Sequence, residues 1–144
     1  MLETLFTGFI GGACAWLLTD FVAKPYRRFF DLRREICRCL VVYGNVSARE
    51  KMDGDVRARI AIPSAEDDRL TEAQKVFRNL AGEMRAFANA EILANWFVKQ
   101  RGYDADEIAS SLIGYSNEVA TYGESRNYYR DRAEKLLRIR SAKK

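Results

Sequence analysis

Residues 4–19 read TLFTGFIGGACAWLLT, sixteen positions without a charge, and their reading decides the fold. Asp20 interrupts the run, and Phe21-Val22-Ala23 extends it to Lys24. At 1.5 Å per residue a helix from Thr4 to Ala23 is about 30 Å long, the thickness of a bilayer's hydrocarbon core. It is apolar on every face and stands at the start of a short chain, which offers it few neighbours. The expectation is a transmembrane helix within residues 1–25 and a separate helical domain over residues 26–144. Glu3 stands where a secretory signal has cations. Gly11-Gly12-Ala13-Cys14 faintly suggests a lipidation site, but Ala15-Trp16-Leu17-Leu18 carries the apolar run straight past it, so the segment reads as retained.

The flanks give that helix a direction. No Lys or Arg precedes Lys24, whereas Lys24, Arg27, Arg28, Arg33 and Arg34 crowd its C-terminal side as a membrane-surface basic cluster. Cations favour the cytoplasmic face, which implies a single-pass protein of the inner (cytoplasmic) membrane, N-terminus out and C-terminal domain in the cytoplasm. At 100° per residue Thr4, Gly8, Gly11, Gly12, Ala15 and Thr19 share one side, and Gly8 and Gly12 make a G-x-x-x-G. Small residues let helix backbones approach closely, so this stripe is the candidate oligomer or pore helix. Asp20 is costly at membrane depth and joins the list of candidates.

Beyond Pro25 the pattern is helical throughout. Phe29, Leu32, Ile36, Leu40 and Tyr43 recur at helical spacing. The stretch Ser47–Ser64, with Asp53-Gly54 in it, reads as a loop. Ser64-Ala-Glu-Asp67 is a capping box opening a helix with Leu70, Ala73, Phe77, Leu80, Met84 and Phe87 on one seam. An apolar cluster over residues 92–98 follows, ending near Gly102. A second capping box, Asp104-Ala-Asp-Glu107, leads into Ile108, Leu112, Ile113 and Val119. After Gly123 a last helix carries Tyr128, Tyr129, Ala133, Leu136, Leu137 and Ile139, and then a basic tail. The fold class is all-α, an antiparallel bundle of four to five helices behind the membrane segment.

Little in the chain speaks for catalysis. Histidine is absent, which removes imidazole as base, proton shuttle or ligand. Cys14 lies in the apolar run, and Cys37 and Cys39 lack the C-x-x-C spacing of redox and zinc sites. No phosphate loop, dinucleotide fingerprint or nucleophile elbow occurs. Asp67-Asp68 and Asp104/Asp106/Glu107 fall in first turns of helices, where the helix dipole accounts for acids. No catalytic residue, metal site or cofactor is therefore expected. Residues 24–144 hold all 24 cations against 18 acids, a net charge of +6 suited to anionic partners. Arg126 and Arg130, beside stackable tyrosines, and Arg49, Lys51, Arg57 and Arg59 in the loop are candidates for nucleic-acid or headgroup contacts.

Three segments, FDLRREI at 30–36 followed by YGNV at 43–46, FRNLA at 77–81 and LIGYSN at 112–117, together resemble a broad group of small bacterial single-span proteins with a cytoplasmic helical bundle. More loosely, the architecture is similar to the membrane accessory proteins of RNA-targeting CRISPR systems, which pair a membrane helix with a HEPN-like bundle and form ring-shaped pores. That second likeness implies a defence role. It also excludes ribonuclease activity of the HEPN kind, because Arg132 stands where the histidine following Arg126 would be.

The expected function is a non-enzymatic, homo-oligomeric pore or channel effector in the bilayer, gated from the cytoplasm in bacterial antiviral defence. The alternative is a membrane-anchored helical module that recruits a protein or nucleic acid partner.

Overall fold

The computed structural model describes residues 2–44, 46, 65–119 and 124–139. Six α-helices account for nearly all of them: α1 (Leu2–Leu18), α2 (Lys24–Val42), α3 (Ala65–Ala90), α4 (Ile92–Gln100), α5 (Ala105–Glu118) and α6 (Glu124–Leu136). A π-helical turn, Thr19–Ala23, joins α1 to α2, and no strand occurs among the described residues. The loop expected at Ser47–Ser64, with its capping Ser64 and with Arg49, Lys51, Arg57 and Arg59, lies outside them.

The seam on α3 is buried as its spacing requires, with Ala73, Phe77, Leu80, Met84 and Phe87 inside. It meets Ile108, Leu112 and Tyr115 of α5, and α3 on α5 is the most extensive helix pairing. The Phe77 and Tyr115 rings pack edge to face at 4.9 Å. On the other flank Phe29, Leu32, Ile36 and Leu40 of α2 close the core, with Phe29 5.5 Å from Phe87. α6 covers α5, contributing Ala133 and, just past its end, Leu137. Tyr128 stands exposed, since the inward face of α6 passes through Arg126, Ala133 and Leu137.

Local chemistry sets the corners. Glu91 breaks the helix between α3 and α4, and the buried Asn95 donates from Nδ2 to the Ala88 carbonyl at 2.9 Å, bracing that bend. α4 ends on Gly102 at φ 77°, in the left-handed region that glycine alone enters cheaply. The Gly102 N–H donates to Lys99 and the Tyr103 N–H to Val98, which satisfies the last carbonyls of α4. Asp104 then caps α5, its carboxylate accepting from the N–H groups of Asp106 and Glu107. The Asp104 half of the second capping box is thus in place.

The transmembrane expectation is overturned. Among the described residues no helix is long and apolar enough to cross a membrane. The α-helical part of the apolar run stops at Leu18 after 17 residues, a rise of about 26 Å, and a crossing takes about 20 residues. The chain then widens into the π turn, where the Lys24 N–H donates to the Thr19 carbonyl and Asp20 pairs with the Lys24 ammonium. Pro25, expected to break or cap a span, sits buried in the first turn of α2, whose missing N–H the wider turn accommodates. The single-pass placement in the inner membrane, N-terminus out and bundle in the cytoplasm, falls with the span it rested on.

Candidate interaction surface

α1 stands off the bundle. Its substantial contacts are only with the π turn that follows it. Every residue from Gly8 to Thr19 is exposed, including Phe9 at 76% and Trp16 at 60%. The candidates Gly8, Gly11 and Gly12 have open space where a Cβ would stand, so another backbone can approach them. Ala15 shares that face and accepts a hydrogen bond from Thr19 Oγ1. Thr4 lies in the same helix. The structure places Gly8, Gly11, Gly12, Ala15 and Thr19 on one uncovered stretch that runs along α1 into the π turn, with Asp20 at its base, half-buried and ion-paired.

A second apolar surface lies on α4. Ala94, Asn95 and Val98 turn inward, and Ile92 (75% exposed), Leu93, Trp96 (55%) and Phe97 turn out. Sequence reading registered this cluster without placing it outside. The available signal was length: a nine-residue helix has one inward stripe, and four large side chains at i, i+1, i+4 and i+5 exceed it. The Trp96 and Phe97 rings pack edge to face at 4.9 Å. Beside them Val22, Ala23, Tyr26, Phe97 and Arg101 line a hollow of about 230 Å³, so the α4 surface adjoins the root of α1. The Arg101 guanidinium lies 6.0 Å from the Tyr26 ring centroid.

The basic cluster divides. Lys24, Arg27 and Arg28 line an open groove of about 620 Å³ with Asp31, Leu32, Glu35 and Glu83, at the end of α2 where α1 departs. Arg34 pairs with Asp31 at 3.5 Å. Arg33 turns back into the fold, donating from Nε to the Leu137 carbonyl at 2.9 Å and lying over the Tyr103 ring. Of the nucleic-acid candidates, Arg126 and Arg130 are likewise occupied within the chain. Arg126 is buried, donates to the Gly44 carbonyl at 2.9 Å and lies over Tyr115, and Arg130 pairs with Glu134 at 2.9 Å. Arg126 ties α6 to the end of α2, whereas the Arg130 pair lies within α6.

Reactive groups are muted. Burial pushes the Cys37 and Cys39 thiols above their ordinary range, so little thiolate forms at neutral pH. The hydrogen bond from Arg38 holds the Glu35 carboxyl below its usual value, and burial raises the Tyr43 phenol. Among the described residues no group of three or more Cys, Asp or Glu is placed to hold a metal ion. No family model, curated protein or solved structure matches this chain.

Proposed function

We propose that this chain is a non-enzymatic helical-bundle interaction protein that assembles with copies of itself through α1. One observation carries the reading: from Gly8 to Leu18 α1 is uncharged, and every residue of that stretch is exposed. Burying a side chain such as Phe9, Trp16, Leu17 or Leu18 releases about 1.5–3 kcal/mol each, against an association cost of similar total size. A pair of such helices covers only one face of each, so assembly runs to three or more copies. The face of Gly8, Gly12 and Ala15 sets the closest approach. A pore requires a segment that crosses a bilayer, and no described helix is one. The reading is therefore the interaction module, and the occupied Arg126 and Arg130 favour a protein as any further partner.

Light scattering and sedimentation of the full chain test it. The expected mass is three or more copies, falling at least tenfold in association constant with Gly8→Leu and Gly12→Leu together. Ala15→Cys in a Cys14→Ser background is expected to cross-link between copies under mild oxidation. A monomer at micromolar concentration, or a mass indifferent to both glycine substitutions, would overturn the proposal.

A further inference from the structure

A second surface makes a separate claim. The outward face of α4 puts Ile92, Leu93, Trp96 and Phe97 together on one side of a short helix held rigidly by Ala94, Asn95 and Val98 beneath. Isolated exposed hydrophobics need no explanation, but four adjoining ones, continuous with the Val22–Tyr26 hollow, do. The charge that follows them is positive, although Glu91 precedes Ile92. From Ile92 to Tyr103 there is no acid, whereas Lys99 and Arg101 follow the apolar residues directly. Lys24, Arg27 and Arg28 stand at the same end of the molecule, and among the described residues Arg27, Arg28 and Arg101 have no carboxylate within ion-pair distance. The nearby acids are engaged, Asp20 with Lys24, and Asp104 with the first turn of α5 and, at 4.0 Å, with Lys99.

We infer that this face docks on an anionic lipid surface, lying on it without crossing. The aliphatic and aromatic side chains enter the boundary between headgroups and acyl chains, and the indole of Trp96 suits that boundary because one edge is apolar and the other carries an N–H. Lys99, Arg101 and the Lys24–Arg28 cations meet the lipid phosphates, each contributing about fivefold in partitioning where it reaches the surface. A protein groove would take the aromatic pair but gives no reason for the cations around it, of which Arg27, Arg28 and Arg101 have no acidic partner among the described residues. The claim does not depend on α1 pairing.

The sequence holds two tryptophans, so Trp16→Phe leaves Trp96 as the one reporter in the full chain. With vesicles of phosphatidylcholine and phosphatidylglycerol, Trp96 emission is expected to shift blue and to be quenched by brominated acyl chains. Phosphatidylcholine alone should bind more weakly, and Lys99→Glu with Arg101→Glu should weaken partitioning by about tenfold or more. The exposed Ile92→Ser and Phe97→Ser changes should do the same. Trp96 remaining in water on vesicles that retain the protein would assign the binding to α1 and overturn the inference. So would an absence of binding, or a blue shift without lipid that grows with protein concentration and marks a second copy as the occupant. Gly8→Leu is expected to change the mass of the assembly and leave the Trp96 signal on vesicles unchanged, which separates the two proposals.

Discussion

At the scale of single residues, close approaches decide more than propensity does. Gly114 lies in the middle of α5, where an alanine would normally be preferred by about 1 kcal/mol. A Cβ there would meet ring carbons of Tyr129 at 2.4 Å, so α6 packs against bare backbone. Gly114→Ala is expected to cost a net 1–3 kcal/mol or so, since overpacking outweighs the helical gain, as urea denaturation will measure. Nothing in the local sequence LIGYSN announces this contact, because Tyr129 is supplied from another helix. Arg126 is a parallel case. Its neighbours Asn127, Tyr128 and Tyr129 suggest a surface for bases, and only the placement of Gly44 and Tyr115 turns its guanidinium into an internal strut.

Among elements, the best-read were those whose ends carry their own signals. Asp104 is legible as a cap because its acceptor and the orphan N–H groups of Asp106 and Glu107 are neighbours in sequence. Asp104→Ala is expected to cost about 1 kcal/mol and to speed amide exchange in the first turn of α5 selectively, which hydrogen exchange resolves. The α2 and α3 stripes were legible for the same reason of short range, with period 3.6 placing Phe29, Ile36, Phe77 and Met84 on inward faces. α1 was harder. Its apolar composition is plain, but composition does not reveal that the α-helix gives way to a π turn at Thr19, and with it the length available to cross a bilayer. α4 was harder still, since only the excess of large side chains over one inward stripe of a short helix hints that part of the cluster at 92–98 lies outside.

On the scale of the whole molecule, one aromatic stack ties the helices together: Tyr43 just past α2, Phe77 on α3 and Tyr115 on α5 lie in series at 6.1 and 4.9 Å. Phe77→Ala is expected to remove about 3–5 kcal/mol, a large part of the stability of a domain this size, and to lower the denaturation midpoint for probes on all three helices together. A loss confined to probes on one helix would show that the bundle unfolds in parts. The molecule gathers the bare arm of α1, the apolar face of α4 and the cations of early α2 at one end. The amino-acid sequence by itself determined the helical class, the inward stripes of α2, α3 and α5, the cap at Asp104 and the absence of imidazole chemistry, because each depends on residues within a turn or two of one another. The tertiary structure alone decided which cations stay free, which apolar surfaces remain uncovered and how long α1 runs before it turns. Those depend on partners tens of residues away, Leu137 for Arg33, Gly44 for Arg126 and the crowded bundle for α4, and no local pattern encodes them.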